Sequence, residues 1–162
     1  MNSAWNAHLP ILVGSALTAI AILAPLSVGL CGPELQADLQ PAELSKMRSY
    51  AESQHEIVVI LIRKKQFNEA LLEANKIFDL KWPQTQEAVL RKDLLYFAEQ
   101  FLHCGQAALG IRLLETNVKT FRDNNHRAAI LKEEGYLHKS LGEGDKALQC
   151  FREAQRLERI EK

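Results

Sequence analysis

The pattern of hydrophobic and polar positions divides the chain into two parts. Residues 11–30 form a continuous run of apolar and small side chains. From residue 42 onward, apolar residues recur every three or four positions, which is the spacing of an amphipathic helix. No Gly or Pro interrupts the first stretch, residues 42–64. The pattern predicts an all-α body at residues 42–162 that begins with one long helix.

The predicted body contains a helical hairpin that repeats three times. The hairpins cover about residues 42–82, 86–122 and 127–160. Each has an apolar stretch, a short break and a second helix with a small residue near its start. These small residues are Ala70, Gly110 and Ala147, separated by 40 and 37 residues. Small side chains at this position let the two helices of a hairpin approach closely.

The third copy resembles a tetratricopeptide repeat. That family's pattern places Gly on the first helix, Gly in the turn, Ala on the second helix, and then an aromatic residue and another Ala. The matching residues are Gly135, Gly142, Ala147, Phe151 and Ala154. Gly105 stands at the corresponding turn of the second copy, and Lys65 at that of the first. The resemblance covers residues 50–160 and implies three hairpins stacked as a short solenoid.

The resemblance also implies a surface for binding other proteins. In stacked hairpins the first helices line the concave face, which suits an extended peptide or a partner helix. The register places there Glu52, His55, Val59, Arg63, Lys92, Leu95, Glu99, Lys132, Tyr136 and Lys139. The family's best-known peptide-binding version grips a terminal carboxylate with paired Lys and Asn. Val59, Glu99 and Tyr136 stand where such asparagines are expected, which disfavours that ligand.

Trp82 lies at the junction of the first two hairpins, directly before Pro83. A tryptophan there either seals the core between the hairpins or stays partly exposed as an anchor for an interface. The sequence leaves both roles open.

The charge pattern narrows the possible partners. The chain has 20 basic and 20 acidic residues, and none of them falls within residues 1–31. This neutral balance gives no electrostatic reason to expect a nucleic acid.

The three cysteines, Cys31, Cys104 and Cys150, have no metal-ligand spacing, and we interpret them as packed thiols rather than a disulfide framework.

The apolar head is predicted to be a membrane anchor. Its 20 residues, 11–30, match the length that a helix needs to cross a hydrocarbon core of about 30 Å. No Lys or Arg precedes it, unlike the start of a signal peptide, and Leu30 occupies the place where lipidation of Cys31 needs a small residue. A single-pass anchor between a tail at 1–10 and a linker at 31–41 is therefore favoured. A cleaved signal peptide and a lipoprotein remain alternatives.

The flanking charges give an orientation for this anchor. Lys46 and Arg48 follow the apolar run and no basic residue precedes it, which favours a cytoplasmic body under the positive-inside rule. A periplasmic body is the alternative.

The residues show no catalytic or metal-binding pattern. His103 and Cys104 are neighbours on a helix and point about 100° apart, and the histidines do not have zinc-site spacing. The acidic pairs Glu133–Glu134 and Glu158–Glu161 are interpreted as solvated. We therefore expect no enzyme and no cofactor.

The predicted function is a membrane-anchored scaffold for protein–protein interaction, acting as an accessory or assembly subunit of a larger membrane complex. The alternative is an exported periplasmic repeat protein or lipoprotein that acts as an envelope-assembly adaptor or chaperone.

Overall fold

The computed structural model of the protein describes residues 40–160, and these form helices and turns without any β-strand. The α-helices are α1 (Pro41–Arg63), α2 (Phe67–Phe78), α3 (Glu87–His103), α4 (Ala107–Asn117), α5 (Asn124–Ser140) and α6 (Gly144–Ile160). Short 3-10 turns at Gln84–Gln86 and Val118–Thr120 precede α3 and follow α4. The predicted all-α character is confirmed.

The predicted membrane segment at 11–30, the tail at 1–10 and the linker up to residue 39 lie outside the described residues. Among the helices at residues 40–160, none combines the length and the apolar character that crossing a membrane requires.

The helices pack in sequential pairs, α1 with α2, α3 with α4, and α5 with α6. The same turn joins each pair. Its central residue has a positive φ, 61° at Lys65, 72° at Gly105 and 76° at Gly142. The next residue donates its amide to the carbonyl five residues back, in the bonds Gln66–Leu61 (2.9 Å), Gln106–Phe101 (2.8 Å) and Glu143–His138 (3.0 Å). This is the Schellman arrangement, in which glycine avoids the steric cost of a left-handed backbone.

The small residues noted in the repeat lie where helices touch. Ala70 and Ala154 are fully buried, and Ala147 is nearly so. A Cβ added to Gly110 would lie 3.0 Å from the carbonyl oxygen of Ala98 on α3. A Cβ added to Gly135 would lie 2.8 Å from the ring of Phe151 on α6. Glycine at these two positions therefore sets how closely the helices approach.

One hydrophobic core runs through the first five helices. At its centre Phe97 and Phe101 of α3 are fully buried, together with Leu113 and Leu114 of α4. A smaller cluster of Ala128, Ala154 and Leu157 joins α5 to α6 at the other end. The sequential pairs are thus held together by burial of apolar side chains, the dominant favourable contribution to folding.

Buried polar contacts link neighbouring pairs. Asn117 of α4 donates its side-chain amide to the side-chain oxygen of Asn75 on α2 at 2.7 Å. The carboxylate of Glu87 accepts the backbone amides of Arg122 and Asp123 at 3.0 and 3.1 Å. Because both Asn117 and Glu87 are buried, these bonds satisfy polar groups that would otherwise destabilise the fold.

Candidate functional site

A groove between α1 and α3 has the character of a binding site. Its volume is about 520 Å³. It is lined by Arg48, Ala51, Glu52, His55, Glu56, Trp82, Gln86, Val89, Leu90 and Asp93. We call it the α1–α3 groove. An apolar floor with a few polar groups at the edge is typical of sites that bind ligands or peptide side chains.

His55 lies in this groove and connects α1 to α3. Its ring stacks on Tyr96 with a centroid separation of 5.3 Å and an interplanar angle of 17°. The same ring lies 4.8 Å from that of Phe97, and its Nδ1 is 3.6 Å from Oδ1 of Asp93. Burial raises the pKa of the Asp93 carboxyl, and the opposite charge of His55 lowers it to a smaller extent. His55 is therefore held by contacts on several sides.

Trp82 combines the two roles that its position in the sequence leaves open. Its indole Nε1 donates a hydrogen bond to the carbonyl of Ile77 at 2.7 Å, and its ring packs against the core. The partly buried side chain also lines the groove. The hydrogen bond fixes one end of the indole while the rest of the ring forms part of the groove surface.

The polar edge of the groove is mainly acidic. Glu52 and Glu56 are exposed on α1, and Asp93 is half-buried on α3. Arg48 is the basic counterpart, and its guanidinium donates to the side-chain oxygen of Gln86 at 3.0 and 3.2 Å. An excess of carboxylates around an apolar floor favours a partner with positive charge beside an apolar side chain.

The residues predicted on the concave face differ in their exposure to solvent, and some of them are buried. Glu52 and His55 line the α1–α3 groove. Val59 lies in the core at 8% exposure, because its side of α1 packs against the other helices, and it is not available to a partner. Leu95 is partly buried against the same core. Besides Glu52, the exposed charged members of the set are Arg63, Lys92, Glu99 and Lys139.

Several other predicted residues have partners within the chain. The Nζ of Lys132 is 2.5 Å from Oε1 of Glu158 on α6. Tyr136 is 56% exposed and its ring meets that of Phe151 edge to face at 5.2 Å. Glu99 lies 3.4 Å from His103. These side chains have defined contacts on the hairpin surface.

Sequence reasoning missed the groove residues on α3. Val89 is 56% exposed, and with Asp93 it shares one face of α3 at a spacing of four residues. This spacing is readable in the sequence, but which face of α3 meets α1 depends on tertiary packing.

Two further expectations about single residues are wrong. Glu134 was expected to be solvated, but it is 8% exposed and lies among buried groups of α5 and α6. Cys104 was expected to be packed, but it is exposed, because it caps α3 at the turn. Cys150, by contrast, is buried.

Comparison with protein-family models, with curated proteins and with solved structures finds no significant match for this chain.

Proposed function

We propose that this protein binds a segment of a partner protein in the α1–α3 groove. The groove carries this proposal, because Val89 and Trp82 offer an apolar surface next to three carboxylates. A partner segment with an apolar side chain beside Lys or Arg complements both properties. The proposal assigns no catalytic role, cofactor or nucleic acid to the groove.

We further propose that the three helix pairs are tetratricopeptide-like hairpins stacked as a short solenoid. Two recurring features support this proposed stacking. They are the turns at residues 65, 105 and 142 and the small residues at 70, 110 and 147. In such an array the first helices of successive hairpins lie side by side. A groove between α1 and α3 is then the place where a bound segment contacts two repeats.

Residues 11–30 are proposed to anchor this binding module in a membrane, with the body on the cytoplasmic side. Tethering raises the effective concentration of the groove near other membrane proteins. The protein then acts as a scaffold, as an accessory or assembly subunit of a membrane complex. An exported periplasmic adaptor or lipoprotein is the alternative.

A peptide-display selection on the purified full-length protein tests the groove. Enriched peptides are expected to share an apolar residue next to Lys or Arg. Val89→Glu places a charge among the apolar residues that line the groove and is expected to weaken binding of a selected peptide at least tenfold, measured by fluorescence anisotropy. Leu72→Glu is the matched control, because Leu72 is 66% exposed on α2 and does not line the groove.

Charge reversal of the rim tests the second property of the groove. The double variant Glu52→Lys and Glu56→Lys is expected to shift the selection toward acidic peptides. Binding that is unchanged in Val89→Glu and in the double variant would show that partners bind elsewhere.

A further inference from the structure

A buried cluster of three side chains joins α5 to α6. Glu134 and His138 lie four residues apart on one face of α5, and Cys150 faces them from α6. Their exposures are 8%, 5% and 8%. The Oε1 of Glu134 is 3.4 Å from Sγ of Cys150 and 3.8 Å from Nε2 of His138. One potential ligand atom from each residue lies within 4.8 Å of the other two.

A second carboxylate orients the imidazole of His138. The Nδ1 of His138 lies 2.6 Å from Oε2 of Glu143, so a proton on Nδ1 is donated to this carboxylate. The Nε2 atom, on the other side of the ring, lies 3.8 Å from Oε1 of Glu134. A histidine held through one nitrogen by a carboxylate, with the other nitrogen available, is the usual arrangement of a metal-binding histidine.

Acidic side chains lie around the cluster, with Glu143 in contact with His138 and Glu115 of α4 near enough to act electrostatically on Glu134 and Cys150. Burial raises the pKa of the Glu134 carboxyl, and it raises the pKa of the Cys150 thiol to about 12. The negative charge of Glu115 on α4 acts in the same direction on both groups. Nζ of Lys146 lies 2.9 Å from Oε1 of Glu143, so a positive charge balances the carboxylate on the Nδ1 side of the ring. The thiol of Cys150 donates to Oε1 of Glu134 at 3.4 Å, and a cation bound between the two groups takes the place of that proton.

We propose that Glu134, His138 and Cys150 bind one divalent transition-metal ion of the zinc class, which clamps α5 to α6. Zinc takes thiolate, imidazole and carboxylate ligands at about 2.0 to 2.3 Å, which places neighbouring ligand atoms roughly 3.3 to 3.6 Å apart in a tetrahedral site. The two separations from Glu134, 3.4 and 3.8 Å, are close to this geometry, and the ligand atoms of His138 and Cys150 lie within 4.8 Å of each other. A thiolate and an imidazole disfavour magnesium and calcium, which prefer oxygen ligands.

Binding is an exchange of protons for the metal, with no change of oxidation state. The ion displaces the proton of the Cys150 thiol, and any proton that Glu134 and His138 share, to solvent. Solvent water occupies the fourth coordination position. This clamp lies in the third hairpin and does not depend on the α1–α3 groove.

Cobalt titration of the full-length chain in mild detergent tests the site. The protein carries Cys31→Ser and no histidine tag, so that neither adds a ligand. A thiolate-to-cobalt charge-transfer band is expected to saturate at one Co²⁺ per chain and to disappear when Zn²⁺ is added. Cys150→Ser is expected to abolish the band and His138→Gln to weaken Co²⁺ binding at least tenfold. Cys104→Ser, an exposed control, is expected to leave the titration unchanged.

Glu143→Gln keeps the test decisive if a ligand variant fails to fold. Glu143 lies in the turn before α6 and is not buried, and its substitution is expected to lower the Co²⁺ affinity by about 10- to 100-fold while circular dichroism stays unchanged. A folded parent chain that gives no charge-transfer band, an affinity unchanged in Glu143→Gln, or a band lost only in Cys104→Ser would each overturn the proposal.

Discussion

Lys65 is the residue at which the repeated turn is least favourable. It takes a φ of 61° in a position where the other two turns have glycine. A side chain in the left-handed region costs about 1 to 2 kcal/mol relative to the usual conformations. The turn nevertheless forms, because the hydrogen bonds from Lys65 and Gln66 satisfy the last carbonyls of α1.

Lys65→Gly is expected to increase the free energy of unfolding by up to about 1 kcal/mol, because it removes this strain. The greater backbone entropy of glycine in the unfolded chain offsets only part of that stabilisation. Gly105→Ala is expected to decrease it by about 1 kcal/mol. A Cβ on Gly105 meets no atom within 4 Å, so the decrease in stability comes from the left-handed backbone and not from a steric clash. Urea denaturation followed by circular dichroism measures both changes.

Lys64→Gly is the control for this pair, because Lys64 has a φ of −79° and no strain to relieve. If Lys65→Gly were as destabilising as Lys64→Gly, the turn at the end of α1 would not have the left-handed conformation.

At the scale of the elements, the spacing between helices is set by a few small side chains. Gly110 lies in α4 against the backbone of Ala98 on α3, and the Leu137 side chain of α5 lies on it as well. Three helices therefore meet at a position without a side chain. Interiors packed to crystal-like density tolerate little added volume at such a position.

Gly110→Val is expected to lower the free energy of unfolding by about 1 to 3 kcal/mol, because its side chain must separate α3 from α4 or displace Leu137. Ala108→Val on the same helix is the control, since Ala108 is exposed and its substitution changes only helix propensity. The midpoints of urea denaturation give the comparison. Equal midpoints for the two variants would contradict the close approach at Gly110.

For the molecule as a whole, the two proposed binding sites lie in separate regions of the described chain. The groove lies between the first helices of the first and second pairs, and the proposed metal clamp lies within the third pair. Apolar side chains on α1 also stay exposed, among them Ile57 at 43% and Ile60 at 47%. Exposed apolar side chains of this size are consistent with a chain that works in contact with partners.

The proposed anchor makes a prediction for the whole chain. The expressed protein is expected to stay in the membrane fraction after an alkaline carbonate wash and to have the intact mass of residues 1–162. A hydrophobic run of this length inserts more firmly than a peripheral contact, which such a wash removes. A mass that begins after residue 29 would indicate a cleaved signal peptide, and a lipid-modified mass that begins at Cys31 would indicate a lipoprotein.

Features that depend on neighbours along the chain can be predicted from the amino-acid sequence. Apolar spacing predicts the helices, and the glycines at residues 105 and 142 predict their ends, because helix formation and left-handed turns respond to local side chains. The small residues at 110 and 135 likewise mark close contacts before any partner helix is known. The all-α character and the positions of the turns could be read in this way.

Which helix faces are buried and which side chains meet depends on the packing of the helices. Val59 and Glu134 lie on helices that the sequence predicts, yet packing buries both of them. Cys150 reaches Glu134 across 16 residues of chain, and the α1–α3 groove forms from residues more than 30 positions apart. The spacing along one helix specifies which residues share a face. Whether that face meets solvent, another helix or a buried ligand depends on the packing of the remaining helices, and this is a property of the whole chain.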